Sequence, residues 1–256
     1  TLYDAAHSPD LALLLTLALV LDRSGRHLAH QLHLIAEQLG PDRCALVKRY
    51  YDQLLEAGPA YALPLLEVAF PALKRRPAPQ LQFLIELVRR VVETDGEVDL
   101  YEYCFYRILT GSLRQSMEPA HPAMRRRVSK GTARRAALQL LRIVADYGHD
   151  TESTRDEAFR AGTARFGRWA ASDSGHFAAD VETVAALDRC LETLRRLDSS
   201  GKEKLIEAVS ATIGHDRRLT LAEAELMRAI CAGLDCPLPP LITENPLAPT
   251  ELRSRA

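Results

Sequence analysis

Shifted by 121 residues against itself, the chain aligns positions 65–109 with 186–230 without a gap. Leu66 meets Leu187, Leu73 meets Leu194 and Arg75 meets Arg196. The run Leu84-Ile85-Glu86 meets Leu205-Ile206-Glu207, and Val88 meets Val209. Asp95 meets Asp216, Glu102 meets Glu223 and Arg107 meets Arg228. Val92 and Val98 pair conservatively with Ile213 and Leu219. A self-similarity of this length predicts two copies of one supersecondary unit, packed so that each buries what the other cannot.

Inside and around these segments the pattern is helical. Leu, Ala, Arg and Glu, all good helix formers, dominate, and no stretch alternates with period two. The pattern predicts an all-α helical bundle. Its helices fall at 10–23, 26–39, 42–57, 62–75, 79–93, 99–112, 131–147, 152–170, 178–197, 200–213 and 220–234. Ser24-Gly25, Gly40-Pro41 and the stretch 172–176 punctuate them. The chain divides into an N-terminal helical segment (1–60), a first helix–helix–loop–helix repeat (61–112), a basic loop with connecting helices (113–177), a second repeat (178–240) and a proline-rich tail (241–256).

A 47% hydrophobic composition excludes general disorder, and a net charge of −1 gives no global pull toward nucleic acid or membrane. Acidic Asp4 and polar residues before the first apolar run do not read as a signal peptide. That run, 11–21, is too short for a spanning helix of about 20 residues and reads as a buried core helix. Cys44, Cys104, Cys190, Cys231 and Cys236 are odd in number and show no CxxC spacing, so they read as small apolar residues of a reducing compartment.

The junction 91–102 in the first repeat is acidic and can be laid on a twelve-residue calcium loop. Glu93, Asp95 and Asp99 fall at positions 3, 5 and 9, Gly96 at 6 and Glu102 at the closing position 12. Position 1 is Val91, which offers no carboxylate. The second repeat keeps Asp216 and Glu223 but has Arg217 where the first has Gly96. A second reading competes and is the stronger. Asp99-Leu-Tyr-Glu102 and Thr220-Leu-Ala-Glu223 are both capping boxes, in which the N-cap side chain and the Glu exchange hydrogen bonds with backbone N–H groups. Weak Ca²⁺ or Mg²⁺ binding at the first loop is the alternative; no other cofactor is indicated.

His27, His30 and His33 recur every third residue on a predicted helix, but Gln31 and Gln38 beside them are poor zinc ligands, and they read as a polar face. HExxH, GxSxG, P-loop and GxGxxG motifs are absent, so no catalytic residue is assigned. Arg125, Arg126, Arg127, Lys130, Arg134 and Arg135 form a basic run without interleaved aromatics. It reads first as a solvated loop, second as a contact for a partner or an anionic membrane surface, and least as a nucleic-acid contact.

The segments LLEVAFPALK, LIELVRRVVETDGEVDLYEYCFYRIL and LIEAVSATIGHDRRLTLAEAELMRAICAGLDCPLPPL resemble the TerB-like fold. More closely, they resemble the long C-terminal region of bacterial HtpX-like membrane zinc metallopeptidases, over roughly residues 1–240. The resemblance implies a regulatory or scaffolding region on the cytoplasmic side of the inner membrane, with partner proteins or the chain's own protease domain as contacts. It also implies that Asp95, Asp99 and Glu102, and more weakly Asp216 and Glu223, hold a cation. The family's HExxH helix has no counterpart here. A stand-alone divalent-cation-binding module of stress responses is the second reading.

Overall fold

The computed structural model describes residues 1–95, 100–117, 128–167 and 183–237. Among them are twelve α-helices and no strand. The first half runs α1 (Leu2–His7), α2 (Pro9–Val20), α3 (Leu28–Leu39), α4 (Pro41–Ala57), α5 (Ala62–Leu73), α6 (Ala78–Val92) and α7 (Leu100–Met117). The second runs α8 (Lys130–Gly148), α9 (Glu152–Ala164), α10 (Thr183–Leu194), α11 (Ser199–Ile213) and α12 (Leu221–Gly233). The all-α bundle predicted from the sequence is what forms.

The apolar run 11–21 becomes α2, which has Pro9 in its first turn, where a missing N–H costs nothing. Every residue from Ala12 to Leu21 is buried. A helix apolar on all sides must be surrounded, and α1, α4, α5 and α6 enclose this one. In the second half α8 takes the corresponding place, lying against α9, α10 and α11. No helix among the described residues is long and apolar enough to cross a membrane.

The bounds of α10 and α11 repeat those of α5 and α6 at a spacing of 121 residues. The 3-10 turns Glu93–Asp95 and Gly214–Asp216, and the starts of α7 and α12, keep the same spacing. α7 and α12 pack on each other and join the halves. They approach closely where Gly111 faces Ala232: a Cβ on Gly111 would lie 3.3 Å from both the Ala232 Cβ and its carbonyl oxygen. Ion pairs among the described residues span the halves. Arg107 Nη1 meets Asp188 Oδ1 at 3.2 Å, and Arg228 donates to Glu67. In the 121-residue register Glu67 corresponds to Asp188 and Arg107 to Arg228, so one contact is made in both directions. This reciprocity is the signature of an isologous interface, here within one chain. Tyr103 adds a hydrogen bond to Asp188 Oδ1 at 3.1 Å.

The structure departs from the sequence reading at several helix bounds, α2 ending at Val20 rather than 23 and α10 at Leu194 rather than 197 among them, and three differences are larger. The chain begins with the additional helix α1, started by a capping box between Thr1 and Asp4, too short to show a periodicity. α7 continues through Met117 rather than ending near 112, because Leu113 is fully buried and extends the apolar face by a turn. α9 stops at Ala164, six residues before the predicted end at 170.

The closeness of α7 and α12 predicts that Gly111→Leu destabilises the chain by about 1–3 kcal/mol, as overpacking does. Urea denaturation measures this as a lower midpoint at unchanged slope.

Candidate functional site

In the first loop, Val91 and Val92 belong to the last turn of α6 and point into the core. The Val91 carbonyl accepts from Gln31 Nε2 at 3.2 Å, while Gln31 Oε1 accepts from the Asp22 N–H at 2.8 Å. The would-be position 1 of a calcium loop is therefore a core residue tied to α3. Glu93 accepts from Arg89, which also holds Glu86. The Arg89 guanidinium beside Glu86 keeps that carboxyl below its ordinary range. Glu102 lies in the first turn of α7 and is buried. Helix dipoles favour an acid at this end. Gly96, Asp99 and the side chain of Asp95 lie outside the described residues.

The second loop shows what its carboxylates do. Asp216 Oδ1 accepts from the Arg218 N–H at 2.9 Å, closing a side-chain turn. Arg217 takes the left-handed conformation, with φ 61°, at the place Gly96 holds in the first copy. Thr220 caps α12 with a complete box: its Oγ1 accepts from the Glu223 N–H at 3.2 Å, and Glu223 Oε2 accepts from the Thr220 N–H at 2.9 Å and its hydroxyl at 2.8 Å. Glu223 is only 2% exposed. It is wedged against the end of α8, where a Cβ on Gly148 would lie 2.4 Å from Glu223 Oε1. The cap thus doubles as a packing contact between α12 and α8.

Beside this cap, His149 is buried and its Nδ1 lies 3.2 Å from the Ala145 carbonyl. Its ring centroid is 6.0 Å from that of His215, which reaches Glu157 at 3.3 Å. These side chains do not converge: the described residues contain no group of three His, Cys, Asp or Glu that could hold a metal ion. On α3, His33 pairs with exposed Glu37 at 3.2 Å, His27 precedes the helix as its N-cap residue, and His30 is exposed.

Of the basic run, Arg125, Arg126 and Arg127 lie outside the described residues. Lys130 opens α8 behind the N-cap Ser129, whose hydroxyl accepts from the Thr132 N–H at 3.1 Å. Lys130 and Arg135 are exposed, and Arg134 is half-buried.

Sequence reasoning passed over Glu225. It lies on α12, two residues beyond the cap, and is 7% exposed. Burial pushes its carboxyl up to about 7; Arg23, from the turn after α2, and Arg228 pull the other way. Arg23 in turn lies over the Tyr101 ring, 5.6 Å from its centroid. A signal was present: Glu225 aligns with Cys104, itself a core residue.

Glu223→Ala is expected to cost about 0.5–2 kcal/mol, with or without added calcium, as loss of a cap does. Gly148→Ala should cost a comparable amount, and much less in the Glu223→Ala background, because the two atoms that collide are then no longer both present. Denaturant melts of the four-protein cycle measure both. For Glu225, the folded chain keeps its proton to about pH 7 while the unfolded chain releases it near 4.5. The folded state binds more protons across that window, so this group's contribution makes stability fall as pH rises from 4.5 to 7 and level off above it. Glu225→Gln should therefore gain on the parent chain with rising pH through the window, read from melting temperatures at each pH.

No family model, no curated protein and no solved structure matches the chain.

Proposed function

We propose that this chain is a non-catalytic helical docking module, acting as a regulatory or scaffolding accessory to a membrane-bound zinc metalloprotease. The observation that carries the non-sensing part is the Thr220–Glu223 box. A carboxylate that the sequence offers as a cation ligand is spent on a helix start and on packing against Gly148. Asp216 is spent on a turn in the same way. Val91, at the position where a calcium loop needs its leading oxygen, is a buried core residue. These uses favour helix surfaces, rather than loops, as the working part of the molecule.

The protease connection rests on the resemblance of the TerB-like segments alone. Exposed Lys130 and Arg135 at the start of α8 give the module a basic contact for an acidic partner surface or for anionic head groups.

The test is a binding titration of this chain against the detergent-solubilised HExxH-bearing domain of an HtpX-like protease, with Ca²⁺ and Mg²⁺ titrations of the chelator-stripped chain alongside. Saturable binding to the protease domain, with no heat and no rise in melting temperature at millimolar cation, is the expected result. Saturable calcium binding that stabilises the fold and disappears in Asp95→Asn with Glu102→Gln would replace this reading with the cation-binding one.

A further inference from the structure

α12 ends in a two-bond cap. The Cys236 N–H donates to the Cys231 carbonyl at 2.9 Å, and the Asp235 N–H donates to the Ala232 carbonyl at 3.3 Å. Asp235 stands between them in the left-handed region, with φ 53°. This is the Schellman arrangement, which brings the side chains of its first and last residues toward each other. Helices usually place two apolar residues there. Here both are cysteines, and both are free thiols.

The surroundings hold this geometry. Arg195 Nε donates to Asp235 Oδ2 at 2.7 Å and its Nη2 to Oδ1 at 3.3 Å, fixing the left-handed residue from the end of α10. Lys202 of α11 donates to the Leu234 carbonyl. The backbone bond between the cysteines keeps their Cα atoms within the ~4.4–6.8 Å that a disulfide spans. Cys231 is a core residue, and half-buried Cys236 packs against the same core. Cys44, Cys104 and Cys190 lie on α4, α7 and α10.

We propose that Cys231 and Cys236 are a thiol-oxidation site, closing into a reversible disulfide across the C-terminal cap of α12 with hydrogen peroxide as oxidant. The two thiols are unequal. Burial pushes Cys231 up to about 12, which leaves it protonated and shielded. Burial also raises Cys236, with Lys202 opposing the rise and Asp235 adding to it, but its side chain, unlike that of Cys231, reaches solvent. Cys236 therefore meets the oxidant. Its thiolate attacks one peroxide oxygen, the O–O bond breaks, and hydroxide leaves to become water. The Cys236 sulfenic acid then reacts with the Cys231 sulfur. The S–S bond forms, the S–O bond breaks, and the oxygen departs as a second water carrying the Cys231 proton. Two thiols are oxidised by two electrons and one peroxide is reduced. A reducing thiol reverses the bond by exchange.

The experiment treats the full chain with a small excess of peroxide, quenches with catalase, unfolds it and blocks remaining thiols with N-ethylmaleimide. Trypsin cleaves after Arg228 and next after Arg253, so both cysteines fall in one peptide. The expected peptide has lost two hydrogens and carries no maleimide; dithiothreitol before blocking restores two labels. Cys236→Ser should leave Cys231 fully labelled after the same treatment. Cys231→Ala, lacking the resolving thiol, should carry sulfinic acid at Cys236. Two maleimides on the treated parent peptide overturn the proposal, as does finding the same sulfinic acid in the parent as in Cys231→Ala. Cys236→Ser alters a half-buried side chain beyond the helix, so its labelling reads the site even if Cys231→Ala fails to fold.

Discussion

The contact between α7 and α12 is the constraint on which the rest of the chain depends. Each helix ends its own half, and each has a small residue where they meet, Gly111 on one and Ala232 on the other. Close approach at that point sets where the remaining helices of each half can lie. The reciprocal bridges Arg107–Asp188 and Arg228–Glu67 then fix the rotation of one half on the other. Their energy is small, since partly exposed pairs contribute about 0–1 kcal/mol. Their value is in register. A slide of one half against the other by one helical turn would break both bridges together. Burial of the apolar faces of the helices of both halves, α2 and α8 among them, supplies most of the stabilisation.

The same economy governs the loops. A helix start has orphan N–H groups that something must accept. A threonine or aspartate followed three residues later by glutamate meets that need locally. Once Glu223 does so, its second oxygen faces Gly148, and the carboxylate is fixed by two hydrogen bonds and a neighbouring backbone. A carboxylate so held cannot also turn outward to a cation without uncapping α12 and loosening its contact with α8. In the second loop the acidic residues serve a helix start at Glu223 and a side-chain turn at Asp216.

Much of the fold was legible because helix signals are local. The starts of α4, α6, α8, α9, α11 and α12 fell within a residue of where proline, capping and apolar spacing put them. α1 was missed because six residues give no period, although Thr1-x-x-Asp4 is a capping pattern visible in the letters. The end of α7 was missed because Gly111, Ser112 and Arg114 look like a break, while buried Leu113 keeps the helix going. The Thr220–Glu223 box could be read from spacing. What packs against it could not, because Gly148 lies far away in sequence and glycine carries no letter-level sign of its neighbour. Likewise, the 121-residue register aligned Arg107 with Arg228 and Glu67 with Asp188. That each arginine reaches the acid of the other copy is a fact of packing that no alignment states.

The two halves share a plan but do not carry equal chemistry, and the difference gathers on α12. Where α7 has Cys104 in the core, α12 has Glu225, whose carboxyl burial favours in the neutral form. Where α7 runs on to Met117, α12 stops at Gly233 and is closed by Cys231 and Cys236. Its start is pinned by Glu223 to α8, its middle by Arg228 to α5 and its end by Asp235 to Arg195. A helix tied at three points to three neighbours passes a change at one tie to the others, because it moves as a rigid body. Protonation at Glu225 or bond formation at Cys231 would therefore bear on the α7–α12 contact, through which the two halves meet.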